Sequence, residues 1–152
     1  MKISIITTSY NSAKTLANTI HSVLAQTYEE IEYIIVDGAS TDGSVDIIRR
    51  YEPQFKGRLK YVSERDKGIY DAMNKGLRMA TGDVAGFLNS DDFLSSADAV
   101  ERMMRALQAD GGRIDAVYAD VHYVDDNDLS RSVRYYSSAV FRPWMMRLGF
   151  MP

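Results

Sequence analysis

The chain has 152 residues, 45% of them hydrophobic and 26% charged, which suits one domain with a real core and excludes a disordered or collagen-like chain. Its 18 basic and 21 acidic side chains leave a net charge of -3, so bulk charge does not point to nucleic acid as a partner. There is no cysteine, and His21 and His122 are the two histidines; disulfides, thiolate metal sites, cysteine nucleophiles and a two-histidine zinc motif are excluded, and both histidines are expected to be structural. No apolar run is long enough to span a bilayer, and residues 1–10 read as a strand with polar punctuation, so a cytoplasmic address is expected.

Residues 2–7 form a short β-branched run that reads as a strand, ended by a polar cluster at 8–12 able to cap a helix. Ala13, Leu16, Ala17, Ile20, Val23 and Leu24 then recur at helical steps up to Gln26. Residues 31–36 are nearly continuously apolar, as in a parallel strand covered on both faces. A polar, glycine-containing break at 37–43 precedes a helix at 45–51, a loop at 53–57 and a strand at 59–63. A helical stripe through Ile69, Ala72, Met73, Gly76, Leu77 and Ala80 stops at Thr81-Gly82. Residues 84–88 make the fourth strand, and Ser95 and Asp98 resemble a capping box for a helix carrying Val100, Met103, Met104 and Leu107. Residues 115–124 and 131–137 are further strand candidates around a turn at 125–128.

Four alternations of strand and helix predict an α/β fold: a mostly parallel sheet with helices on both faces. In such a sheet ligands bind beyond the carboxyl ends of the strands, and the clusters at 8–11, 37–43 and 89–92 fall at those ends. Asp91 and Asp92 would repel a phosphorylated ligand unless a divalent cation lies between, and their hard oxygens suit Mg2+ or Mn2+. A metal-bridged diphosphate is the expected guest. Lys67 and Asp71, before and at the start of a helix, are further candidates near phosphates or sugar. No Walker loop and no dinucleotide fingerprint is present.

The opening Ile3-Ser4-Ile5-Ile6-Thr7-Thr8-Ser9-Tyr10-Asn11, the segment Gln26-Thr27-Tyr28, the stretch from Val36-Asp37-Gly38 to Gly43, the stretch from Ser63 to Gly76 and the run Leu88-Asn89-Ser90-Asp91-Asp92 together resemble the nucleotide-sugar-binding half of family 2 glycosyltransferases, which have the Rossmann-like GT-A fold. Over residues 2–125 the likeness is to members that build bacterial capsular polysaccharides and exopolysaccharides. It implies an inverting, metal-dependent transfer of sugar from a nucleotide-diphosphate donor to a glycan or lipid-linked acceptor. It places Thr8, Ser9 and Tyr10 near the nucleotide, Asp37 at the base or ribose, and Asn89, Asp91 and Asp92 in the acidic metal motif. Asn89 stands where aspartate is commoner, and Gly38 where many members have a second acid. The family's catalytic base is expected beyond Pro152.

Two rival readings are weighed. A sugar-1-phosphate nucleotidyltransferase would need a glycine- and arginine-rich loop after the first strand, and a receiver-type Mg2+-binding module would need acids there; residues 8–11 supply neither. Residues 139–152 are apolar, aromatic and methionine-rich with Arg142 and Arg147, so the domain is expected to cover 1–138, with 139–152 beginning an acceptor-binding part and the chain being a piece of a longer protein. That tail also suits peripheral association with the inner face of a membrane.

Overall fold

The structure is a computed structural model of the chain and describes residues 1–109, 111, 114–142 and 145. The chain divides into two compact units, Met1–Arg102 and Met103–Pro152. In the first, strands β1 (Ile3–Ser9), β2 (Ile31–Asp37), β3 (Leu59–Ser63) and β4 (Val84–Phe87) alternate with helices α1 (Leu16–Leu24), α2 (Ser44–Tyr51) and α3 (Ile69–Met79), and a 3-10 turn covers Glu52–Phe55. Helix α4 (Ala99–Gln108) spans the division.

The four strands form one parallel sheet in the order β3-β2-β1-β4. From β1 to β3 the chain crosses the sheet in one direction, and from β3 to β4 it returns past β2 and β1. Right-handed crossovers therefore lay α1 and α2 on one face and α3 on the other. On the α3 face Ile6, Ile34, Val36 and Ala72 form a buried cluster. Gly76 is needed there, because a Cβ on it would run into the Ile6 side chain. On the opposite face Phe55 packs against Tyr33 with ring centroids 5.4 Å apart, and the Tyr33 hydroxyl shares a 3.0 Å hydrogen bond with Thr7. Every residue of β1 and β2 is buried, as expected of strands covered on both sides.

Several boundaries differ from the sequence reading. Strand β1 continues to Ser9 because Thr8 and Ser9 stay in register with Val36 and Asp37. Helix α1 starts only at Leu16, after a turn in which Ser12 O accepts from Thr15 N and Leu16 N, so cluster 8–12 does not cap it. Helix α4 starts at Ala99, past Asp98; the hydrogen bond formed is from Ser96 Oγ to Asp98 Oδ1 at 2.6 Å, in place of the expected box with Ser95.

The second unit holds an antiparallel hairpin of β5 (Val121–Asp125) and β6 (Asp128–Tyr136); residues 115–120, expected as strand, lie outside it. Asp120 caps the end of the hairpin, accepting from Ser138 N, Ser138 Oγ and Tyr135 Oη, and the two Ser138 bonds and the Tyr135 bond draw its pKa down to about 2. Residues 143, 144 and 146–152, on which much of the expected tail and its membrane reading rest, lie outside the described residues. Among the described residues no helix is long and apolar enough to cross a membrane.

Candidate functional site

The register aligns Ser9, Asp37 and Ser63 at the carboxyl ends of β1, β2 and β3, and Leu88 N donates to Ile6 O at the same end of β4. Asp37 and Asp91 therefore leave the sheet along one edge. β1 and β4 are neighbours in the sheet, so the loops that follow them lie side by side at that edge. Residues 8–11 end β1 and enter its loop, and residues 89–92 follow β4.

The β1–α1 and β2–α2 loops are stitched together. Asn11 N donates to Ser40 Oγ at 2.8 Å, Thr41 N to Asn11 Oδ1 at 2.9 Å, Ala13 N to Asp42 Oδ2 at 2.8 Å and Ser12 N to Ser44 Oγ at 3.0 Å. Asn11 holds a left-handed backbone at φ 50°, which asparagine tolerates better than most residues. The Asp37 carboxylate is fully buried and accepts from Ser40 N, Ser40 Oγ and Ser63 Oγ; in this structure it shapes the loop and ties it to β3. Thr8 and Ser9 are buried, and the Ser9 hydroxyl has no hydrogen-bond partner among the described residues, whereas Tyr10 is 68% exposed.

Gly38 lies where Tyr10 and Asp66 meet: a Cβ there would be 3.2 Å from both Tyr10 Cδ2 and Asp66 Oδ2. The place of a second acid at 38 is thus taken by a carboxylate from the β3–α3 loop, a contribution of Asp66 that sequence reading overlooks. Lys75 of α3 holds that carboxylate and also reaches Glu64 at 2.8 Å and Arg65 O at 3.0 Å; Asp66 and then Glu64 hold its ammonium in the charged form, above its ordinary pKa. Lys67 and Asp71 are joined through the backbone, Lys67 N donating to Asp71 Oδ2 at 3.0 Å. That bond first, with the charges of Lys75, Arg78 and Lys67, lowers the Asp71 pKa. The Lys67 side chain remains exposed at the start of α3.

The acidic loop is anchored from α1. Ser90 O accepts from Thr15 Oγ1 at 2.7 Å and Thr19 Oγ1 at 3.0 Å, and the Ser90 and Ser12 hydroxyls lie 2.8 Å apart. Further along, Gln26 donates to Ser96 O and accepts from Val100 N, and Thr27 N donates to Ala97 O; Gln26 and Thr27 of the sequence motif clamp the approach to α4, while the Tyr28 hydroxyl donates to Met1 O. Asp91 is exposed, and Asp92 is exposed as a residue while its carboxyl group is partly desolvated. Burial first, and the Asp91 charge, raise the Asp92 pKa against a hydrogen bond from Asn89 that lowers it.

The donor set fits a hard divalent cation. Two adjacent carboxylates are available, and no cluster of three or more His, Cys, Asp or Glu occurs among the described residues. A cation held here would complete its shell with phosphate oxygens and water, the habit of Mg2+ and of Mn2+ bound like it. His21 and His122 are elsewhere: His21 is exposed on α1, and His122 shares a 3.1 Å hydrogen bond with Ser132 in the hairpin.

The model of the family described as Glycosyl transferase family 2 matches residues 4–150. A relative from Nostoc sp., an uncharacterized glycosyltransferase, is 37% identical over 128 residues, covering 84% of this chain and 39% of that protein. A PGL/p-HBAD biosynthesis glycosyltransferase of Mycobacterium tuberculosis is 39% identical over 118 residues, 78% of this chain and 46% of that protein. The chain thus spans less than half the length of these relatives. S. aureus TarS in complex with UDP-GlcNAc superposes with a TM-score of 0.64 and 25% identity over 72% of this chain and 32% of that one. Mannosyltransferase PcManGT from Pyrobaculum calidifontis, in complex with GDP-Man and Mn2+, does so with a TM-score of 0.67 and 25% identity over 85% and 37%.

Proposed function

The chain belongs to glycosyl transferase family 2, and on that premise we propose that it is the donor-binding part of an inverting, metal-dependent glycosyltransferase acting in cell-surface polysaccharide synthesis. The donor is a nucleotide-diphosphate sugar and the acceptor a hydroxyl of a glycan or lipid-linked glycan, met on the cytoplasmic side and, for a lipid-linked acceptor, at the membrane surface. The observation that carries this reading is that Thr8, Ser9 and Tyr10 at the end of β1, Asp37 at the end of β2 and the Asn89–Asp92 loop after β4 share the carboxyl edge of three adjacent strands.

In this reading the exposed Tyr10 ring offers an apolar face to the nucleobase. Asp37 acts by fixing the loop beside it, and Asp66, next to Gly38, adds an acceptor for base or ribose. Lys67 lies within the same loop cluster as a countercharge to phosphate, and Asp71 orients that loop through the Lys67 amide. Asp91 and Asp92 present the oxygens that would hold the cation, with Asn89 bracing Asp92. Bound there, Mg2+ or Mn2+ supplies charge neutralisation for the departing diphosphate. The acceptor oxygen attacks the anomeric carbon in one displacement as the bond to the diphosphate breaks, and its proton passes to a general base.

Calorimetric titration with UDP and with GDP, each with Mn2+ and with EDTA, tests the proposal. The expected result is nucleoside diphosphate binding that needs Mn2+ and is lost in Asp91→Ala. Metal binding indifferent to nucleotide would instead identify a receiver-like module and reject the reading.

A further inference from the structure

We propose that Thr15, at the N-cap of α1, and Thr19 within it are positioning residues for Asp91 and Asp92, acting through the carbonyl of Ser90; the inference rests on the function proposed above. The peptide group between Ser90 and Asp91 is planar, so fixing its oxygen fixes the plane from which the Asp91 side chain departs. A carbonyl oxygen has two lone pairs, and here two hydroxyls one helical turn apart take them, at 2.7 Å and 3.0 Å. The Ser90–Ser12 contact of 2.8 Å adds a third restraint, and Ser12 is itself tied through Ser44 to Asp42. A chain of hydrogen bonds thus connects the loop beside the nucleoside with the loop that carries the acids.

Neither helix propensity at Thr19 nor capping at Thr15, whose side chain makes no cap hydrogen bond, accounts for these threonines. Threonine is a mediocre helix former, and in a helix its hydroxyl commonly turns back to a carbonyl of the preceding turn. The hydroxyl of Thr19, fully buried, instead reaches a residue 71 positions away; that of Thr15 turns back to Ser12 O only at 3.5 Å and makes its short 2.7 Å bond 75 positions away. The partner is the residue immediately before the two carboxylates.

The test compares Thr15→Val/Thr19→Val, which removes both donors at nearly constant volume, with Thr15→Ser/Thr19→Ser, which keeps them. Mn2+ affinity in the presence of UDP or GDP is measured by calorimetry, and hydrogen exchange of the amides of 91 and 92 is measured in metal-free protein. The valine pair is expected to weaken Mn2+ binding about 10-fold, as loss of an outer-shell partner does, and to lower amide protection at 91 and 92. The serine pair is expected to restore both. A folded valine pair that binds Mn2+ as tightly as the unaltered chain, with unchanged exchange, overturns the inference; Thr15→Val alone carries the same test where the pair does not fold. An unaltered chain that takes no Mn2+ with either nucleotide overturns the function instead, so the two failures are told apart.

Discussion

The side-chain amide of Asn89 donates a 3.1 Å hydrogen bond to Asp92 Oδ2, and this does not offset the burial and the Asp91 charge that oppose ionisation of Asp92. With its folded-state pKa raised, Asp92 favours the fold most below the ordinary carboxylate value, and that contribution is lost as pH rises through the folded value. At neutral pH the ionised side chain is therefore a local cost. Asp92→Asn is expected to raise the metal-free unfolding midpoint at pH 7, to leave it nearly unchanged at pH 3, and to reduce Mn2+-dependent nucleotide binding at least about 10-fold. Thermal unfolding at the two pH values, with calorimetry, checks the pair of effects.

Gly38 is expected to resist substitution at the site rather than in the core. Its Cβ would sit 3.2 Å from the Tyr10 ring and from Asp66 Oδ2, and Gly38→Asp would add a like charge beside Asp66. Nucleoside diphosphate affinity should fall about 10-fold or more, an effect of roughly 1.4 kcal/mol, with Mn2+ binding less affected. Nucleotide titration of the variant, with circular dichroism to verify the fold, measures this.

Gly76→Ala sets two effects against each other. Alanine gains up to about 1 kcal/mol over glycine inside a helix, whereas a methyl forced against Ile6 costs about 1–3 kcal/mol. Net destabilisation of about 1 kcal/mol is expected in urea unfolding. In an Ile6→Ala background the same change should become neutral or stabilising, a coupling that the double-mutant cycle reads directly.

Glu32 predicts an acid limb. Only 3% exposed in β2, it accepts from Ser4 Oγ at 2.6 Å, Lys60 Nζ at 2.7 Å, and Thr81 N and Oγ1 at 2.8 and 2.9 Å. Burial raises its pKa, but the bonds from Lys60, Ser4 and Thr81 outweigh it and hold the carboxyl well below its ordinary value of 4.5. The stability this supplies is present above that ordinary value and is lost as pH falls below it toward the folded one. Glu32→Gln is expected to cost about 1–3 kcal/mol at pH 7 and to flatten the loss of stability below about pH 4.5, seen in urea midpoints across pH 2–7.

Much of the architecture was legible in local pattern. The β-branched runs at 2–7 and 31–36 and the stripe of α1 reported buried positions, because side-chain periodicity depends only on neighbours a few positions away, whereas Ile69 and Leu77 of the α3 stripe are exposed. The same alternation implied a parallel sheet and placed Thr8, Ser9, Tyr10, Asp37 and Asn89–Asp92 at strand ends. What local pattern did not carry was the buried polar framework. Glu32 lies within an apolar run, and its partners come from residues 4, 60 and 81.

The same division holds at the site. Sequence by itself determined that acids and hydroxyls follow the carboxyl ends of the strands. Tertiary structure decided that Asp37 is buried as a loop brace, that Asp66 fills the space beside Gly38, and that Thr15 and Thr19 hold Ser90. Each of these depends on the strand order β3-β2-β1-β4, which brings segments as much as 81 residues apart within hydrogen-bond reach. Hydrogen bonds between distant segments leave no periodic trace in the chain, because their geometry exists only once the sheet has set the register.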